Sequence, residues 1–113
     1  MKNNIIYFFK YYILCYYNVV NNNYMKILKF GAEWCSGCII MKPRFKEIET
    51  ENPWLETEYY DFDIAKDVVE KYKIDEVLPT FVFLDKKGKE FLRLQGEVQK
   101  KKIIEIINEN KEK

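Results

Sequence analysis

Residues 26–51 read K-I-L-K-F-G-A-E-W-C-S-G-C-I-I-M-K-P-R-F-K-E-I-E-T-E, and this stretch decides the fold. Its first part, Lys26–Ala32, is short and apolar and contains a glycine near its end, which predicts a buried β-strand. Its second part, Ser36–Glu51, spaces apolar residues by four and three, which predicts a helix with one apolar face. Cys35 and Cys38 therefore lie where a strand turns into a helix.

The rest of the chain continues the alternation of strands and helices. The predicted elements are a strand at Thr57–Asp63, a helix at Ile64–Lys73, strands at Thr80–Asp85 and Glu90–Gln95, and a helix at Gln99–Asn110. Between the last two strands, Lys86–Lys89 contains a glycine and predicts a hairpin turn. The order β-α-β-α-β-β-α predicts an α/β domain with a mixed four-stranded sheet flanked by helices.

Length and composition exclude several classes of function. A chain of 113 residues predicts one domain, and a net charge of +1 gives no reason to expect nucleic acid as a partner. Histidine is absent, which excludes Cys-His nucleophile pairs and histidine metal ligands. Three cysteines are too few for a four-cysteine zinc site or the usual iron–sulfur cluster.

The spacing of Cys35 and Cys38 leaves three interpretations, namely half of a metal site, an inert pair, or a redox couple. A second pair with ligand spacing is missing from the sequence, which argues against metal. At the start of a helix, backbone N–H groups and the helix dipole favour the thiolate of Cys35. Cys38 follows one helical turn later and can reach the Cys35 sulfur. The pattern favours a couple in which Cys35 attacks a disulfide and Cys38 resolves the mixed disulfide.

Two segments resemble the thioredoxin family. The stretch F-G-A-E-W-C-S-G-C-I-I-M-K-P-R-F resembles the family's active-site segment, and Pro43 matches its helix proline, which is expected to kink the helix. The stretch V-L-P-T-F-V-F-L-D at Val77–Asp85 resembles the family's Ile-Pro-Thr segment. The resemblance implies that the bond before Pro79 is cis and that Pro79 lies beside the cysteine pair. Gly96 matches a family glycine near the same groove.

The resemblance covers about residues 25–111 and implies a minimal thioredoxin-like βαβαββα core. It implies a thiol–disulfide oxidoreductase that reduces protein disulfides through Cys35 and Cys38, without a bound cofactor or metal. The electrons would come from a thioredoxin-reductase-type donor, and the protein is expected to act as a monomer. The expected substrate groove consists of Trp34, Ser36, Gly37, Leu78, Pro79 and Gly96. The alternative to an enzyme is a non-catalytic binding module with the same fold.

Three positions depart from the family pattern. Ser36 and Gly37 replace the Gly-Pro that thioredoxins usually carry between the cysteines, which leaves the reduction potential open. Lys29 stands where the family buries an aspartate, and Tyr59 stands where that aspartate's lysine partner is found. We expect Lys29 either to extend its ammonium to solvent or to stabilise a thiolate by its charge.

Residues 1–24 differ from the remainder and are predicted to be an extension of a thioredoxin-like domain at residues 25–113. They contain two lysines, no acidic residue and an apolar stretch interrupted by Lys10. That stretch is marginal for a bilayer span, and no cleavage site of a secretory signal follows it. The extension could be an additional element, a membrane anchor, or sequence upstream of a true start at Met25. We expect a cytoplasmic protein, with a membrane-anchored or exported redox protein as the alternative.

Overall fold

The structure is a computed structural model that describes residues 24–113. Its elements follow one another in the predicted order β-α-β-α-β-β-α. They are β1 (Lys26–Gly31), α1 (Ser36–Glu51), β2 (Glu56–Asp61), α2 (Lys66–Lys71), β3 (Thr80–Leu84), β4 (Glu90–Gln95) and α3 (Lys100–Asn110). The predicted α/β fold is confirmed.

The four strands form one mixed sheet in the order β2-β1-β3-β4. β1 runs parallel to β2 and antiparallel to β3, and β3 pairs with β4 in antiparallel fashion. In this register Lys29 of β1 lies between Tyr59 of β2 and Phe81 of β3. Because side chains alternate between the two faces of a strand, these three residues point to the same face of the sheet.

Helices cover both faces of the sheet. On one face, the α1 residues Met41, Phe45 and Ile48 pack with Ile103 and Ile107 of α3. On the other face, the strand residues Leu28, Phe30, Val82 and Leu84 pack with Ile74 and with half-buried residues of α2. β3 is buried along its whole length, which explains its continuous apolar sequence. This packing places the carboxyl end of β1 beside the start of α1.

Two elements end two residues earlier than the sequence predicts. β2 ends at Asp61 because a turn begins there, in which the Asp61 carbonyl accepts hydrogen bonds from the N–H groups of Ile64 and Ala65. α2 ends at Lys71, two residues early, because Lys73 adopts a left-handed backbone with φ of 53°. The apolar pattern alone cannot locate such turns.

The predicted ends of α1 and the predicted hairpin are confirmed. Cys35 is the N-cap of α1, and Asn52 ends the helix with its side-chain amide donating a 2.9 Å hydrogen bond to the Ile48 carbonyl. Pro43 lies inside the helix without interrupting it. In the hairpin, Gly88 has a φ of +84° and the Asp85 carboxylate accepts hydrogen bonds from the following backbone.

The predictions made for the N-terminal extension fall, apart from Tyr24, outside the described residues. The interpretations as an additional element, an anchor or upstream sequence therefore stay predictions. Within residues 24–113, no helix combines the length and the apolar character that crossing a bilayer requires.

Candidate active site

Cys35 and Cys38 form a disulfide at the amino end of α1, and their Cα atoms are 5.3 Å apart. The Cys35 sulfur accepts a hydrogen bond of 3.2 Å from the backbone N–H of Cys38. Cys35 therefore serves as the N-cap of the helix with its sulfur in place of the usual hydroxyl or carboxylate. The same N–H and the helix dipole favour a negative charge on this sulfur once the disulfide is reduced.

The two cysteines differ in their surroundings. Cys35 is only 5% exposed, whereas Cys38 is half-buried and lines a cavity of about 460 Å³. This cavity lies between α1 and the sheet. Its walls include Lys29, Tyr59 and Pro79. Groups that line this cavity can therefore affect the ionisation and position of the Cys38 sulfur.

Trp34 lies next to the cysteine pair and is largely exposed. Its indole Nε1 donates a hydrogen bond of 2.9 Å to the Asp63 carboxylate, and its ring meets Phe62 edge to face. The hydrogen bond and the ring contact fix the orientation of the exposed indole, which therefore offers a preformed contact surface. Ser36, the first residue of α1, is exposed on the same end of the molecule.

Gly37 and Pro79 are brought into direct contact. A Cβ atom on Gly37 would lie 3.0 Å from Cδ of Pro79, so a larger residue here would require Pro79 or the start of α1 to shift. The Leu78–Pro79 peptide bond is cis, as the resemblance implies. Pro79 is buried and Leu78 is half-buried immediately before β3.

Gly96 joins the same region from the end of β4. Its N–H donates a hydrogen bond of 2.7 Å to the Pro79 carbonyl, and its φ of +82° is one that glycine adopts without strain. The loop that follows is fixed to α1, because the Arg44 guanidinium donates a 2.6 Å hydrogen bond to the Val98 carbonyl. Contacts with Pro79 therefore link Gly37 at the start of α1 to Gly96 at the end of β4.

The prediction that Lys29 extends to solvent is wrong. Its side chain is 19% exposed, and its ammonium lies 2.6 Å from a carboxylate oxygen of Glu49. The alternation of β1 turns Lys29 toward α1, where it packs over the Phe45 ring, and Glu49 is within reach on that helix. Thr57 also donates a hydrogen bond to Glu49. The positive charge beside the cavity is thus compensated.

Tyr59 approaches Cys38 across Gly31. A Cβ atom on Gly31 would lie 3.1 Å from the Cys38 sulfur and 3.1 Å from the Tyr59 hydroxyl oxygen. Burial raises the pKa of Tyr59 above its usual value, and the carboxylates of Asp61 and Glu33 raise it further. The phenol is therefore un-ionised at neutral pH.

Sequence reasoning missed Asp63, Glu49 and Arg44. Asp63 follows β2 just as Trp34 follows β1, and the carboxyl ends of adjacent parallel strands meet at one edge of the sheet, so this partner could have been found. Glu49 and Arg44 bond to residues that are distant in the sequence, Lys29 and Val98. No sequence pattern predicts these two contacts.

The part of the chain that the structure describes contains no group of three or more His, Cys, Asp or Glu side chains placed to hold a metal ion. A disulfide at a helix amino end, next to an exposed tryptophan and a cis-proline, is an arrangement suited to thiol–disulfide exchange. The fold and this site together define the class of α/β proteins that carry a cysteine pair at the start of the helix after the first strand.

The chain belongs to the thioredoxin family, whose model, described as Thioredoxin, matches residues 15–109. Thioredoxin-1 of Caenorhabditis elegans is 33% identical over 85 residues, which are 73% of this chain and 72% of the relative. An H-type thioredoxin of Fagopyrum esculentum is 37% identical over 70 residues, which are 62% of this chain. That match spans only 59% of the relative's length.

Solved structures agree with this assignment. The structure of Fasciola hepatica thioredoxin superposes with a TM-score of 0.71 at 29% identity, and the match covers 81% of this chain and 86% of that one. A thioredoxin of Nicotiana alata has the same fold, with a TM-score of 0.73 at 24% identity over 88% of this chain and 85% of that one.

Proposed function

We propose that this protein reduces protein disulfides, with Cys35 as the nucleophile and Cys38 as the resolving thiol. The observation that carries this proposal is the hydrogen bond from the Cys38 N–H to the Cys35 sulfur at the amino end of α1. A thiolate in this place gains both the hydrogen bond and the helix dipole, and the thiolate is the attacking species.

The reaction consists of two exchanges. In the first, the Cys35 thiolate attacks one sulfur of the substrate disulfide, a mixed disulfide forms, and the other substrate sulfur leaves as a thiolate. In the second, the Cys38 thiolate attacks the Cys35 sulfur, which forms the Cys35–Cys38 disulfide and releases the second substrate thiolate. Two electrons pass to the substrate, and its thiolates take up protons from water.

The proposed substrate groove consists of Trp34, Ser36, Gly37, Leu78, Pro79 and Gly96. Two contacts support this proposal, namely that of Gly37 with Pro79 and the hydrogen bond from the Gly96 N–H to the Pro79 carbonyl. The backbone of Leu78 would pair with an extended substrate segment by strand addition, and the exposed Trp34 ring would cover its side chains.

The donor that restores the dithiol is proposed to be a thioredoxin-reductase-type protein, and the active form a monomer. The Cys35–Cys38 pair would work as a reductant in a compartment where thiols are kept reduced. We therefore propose that the protein acts in the cytoplasm. The domain itself is proposed to comprise residues 25–113.

The test uses the full chain in an insulin-disulfide reduction assay with a reductase and its nicotinamide cofactor. We expect the wild type to be active and Cys35→Ser to be inactive, whereas Cys38→Ser should accumulate a mixed disulfide detectable by mass spectrometry. Cys15→Ser is the matched control and should keep wild-type activity. Equal activity of the wild type and Cys35→Ser would refute the proposal.

A further inference from the structure

Gly31 lets Tyr59 of β2 and Cys38 of α1 approach each other on one face of the sheet. The position of a Cβ atom on Gly31 lies 3.1 Å from both the Tyr59 hydroxyl oxygen and the Cys38 sulfur, so these two atoms are at most twice that distance apart. No side chain stands between them because residue 31 is glycine. Both residues also line the same cavity.

The direction of the Tyr59 side chain follows from the strand register. Tyr59 pairs with Lys29 in β1, and both point to the face that α1 covers. Tyr60, the next residue, points to the opposite face, where its ring stacks on Phe30 and its hydroxyl donates a hydrogen bond to Glu58. Of these two adjacent tyrosines, only Tyr59 therefore turns its hydroxyl to the face on which Cys38 lies.

Lys29, which lines the same cavity, is less suited to stabilise the Cys38 thiolate. Lys29 donates to Glu49, which compensates its charge. The charged groups around the cavity and around Tyr59 are Lys29 and Glu49, Lys42 of α1, Glu33 of the active-site loop and Asp61 at the end of β2. Burial, and after it the negative charges of Asp61 and Glu33, raise the pKa of the Tyr59 phenol, which keeps its proton available for donation.

We propose that the Tyr59 hydroxyl donates a hydrogen bond to the Cys38 thiolate in the reduced protein and so positions Cys38 for resolution of the mixed disulfide. Tyr59 keeps its proton throughout. The Cys38 thiol loses its own proton to water, and its sulfur then attacks the Cys35 sulfur and displaces the substrate thiolate. This proposal deepens the proposed function and rests on Cys38 being the resolving thiol.

The test measures the pKa of Cys38 directly. The full chain carries Cys15→Ser and Cys35→Ser, so that Cys38 is its single thiol, and the rate of its alkylation by iodoacetamide is followed against pH by mass spectrometry. Removing a hydrogen bond to a charged group costs about 1.5 kcal/mol, so Tyr59→Phe should raise the alkylation midpoint by about one pH unit.

Tyr60→Phe in the same background is the matched control and should leave the midpoint unchanged. An unchanged midpoint in Tyr59→Phe, or equal shifts in both variants, would overturn the proposal. Tyr59 is 58% exposed, so loss of one oxygen atom should not unfold the protein, which circular dichroism verifies. The measurement needs neither a protein substrate nor a reductase, so its outcome is independent of the insulin assay.

Discussion

The Lys29 ammonium lies 2.6 Å from a Glu49 carboxylate oxygen on the face of the sheet that α1 covers, beside the cavity that Cys38 lines. A lysine at this place would by itself favour thiolates, because a nearby positive charge stabilises the ionised form of a thiol. With Glu49 paired to it, most of that effect is cancelled. The pair therefore leaves little net positive charge beside Cys38 to stabilise a thiolate.

Glu49→Gln should make the couple less reducing. The substitution leaves the Lys29 charge uncompensated, which stabilises the reduced, partly ionised dithiol and raises the reduction potential by about 10–20 mV. Redox titration against glutathione buffers measures this shift. Glu47→Gln, on the same helix and paired with the distant Lys100, is the matched control. Equal potentials for the two variants would contradict the interpretation.

Asp63→Ala should weaken the recognition of protein substrates and leave the chemical step intact. It removes the hydrogen bond that holds the Trp34 indole, so the ring loses its fixed orientation at the groove. Loss of one such bond predicts a rise in KM for insulin of about two- to fivefold.

The readout that separates recognition from chemistry is the reaction with a small aromatic disulfide, which should proceed at the wild-type rate in Asp63→Ala. Asp67→Ala, an exposed aspartate on α2, should change neither parameter. A lower rate with the small disulfide would mean that Asp63 acts on the cysteine pair itself.

The fold could be predicted from the sequence because its elements alternate clearly and because the apolar periods are unbroken. The short apolar run of β3 between turn residues indicates a buried strand, and the spacing by four and three on α1 indicates a helix. The surroundings of Cys38 could not be predicted in the same way. The Lys29–Glu49 pair depends on how α1 lies across the sheet, and the approach of Tyr59 depends on the strand register, which a single sequence does not fix.

Tyr60 should make stability depend on pH in the alkaline range. Its hydrogen bond to the Glu58 carboxylate, together with burial, raises its pKa to about 12. Above pH 10 the unfolded tyrosine ionises while the folded one stays protonated, so the stabilisation is complete below pH 10 and is lost as pH rises toward 12. Because Tyr60 is partly exposed, we expect a loss of about 1 kcal/mol.

The measurement is the free energy of unfolding in urea for the wild type and Tyr60→Phe at several pH values from neutral to strongly alkaline. Subtracting one from the other cancels the titration of lysines, which both proteins share. The difference between them should shrink as pH rises above 10. A difference that stays constant over this range would show that the hydrogen bond to Glu58 does not raise the pKa of Tyr60.

Ile103→Ala should destabilise the domain strongly. Ile103 is fully buried between α3 and the sheet, and its truncation leaves a cavity among side chains that cannot close it. We expect a loss of about 2–4 kcal/mol in the free energy of unfolding. Ile64→Ala is the control, since Ile64 is 79% exposed, and it should change stability by less than about 0.5 kcal/mol.

Gly96→Ala should affect both stability and substrate recognition, and Gly88→Ala should affect stability alone. Both glycines have a positive φ, +82° and +84°, and at both a Cβ atom would meet open space, so the alanine costs only backbone strain. That strain is about 1–2 kcal/mol for each, measured by urea denaturation. Gly96 also donates to the Pro79 carbonyl, whereas Gly88 lies in the distant hairpin.

The comparison of these two variants tests the groove directly, because their strain is matched. If the Gly96 backbone orients Pro79 for substrate pairing, Gly96→Ala should raise KM for insulin by about threefold or more, and Gly88→Ala should leave KM unchanged. Equal KM values at equal stability loss would remove Gly96 from the groove. The small aromatic disulfide should again react at the wild-type rate with both, because neither substitution reaches the amino end of α1.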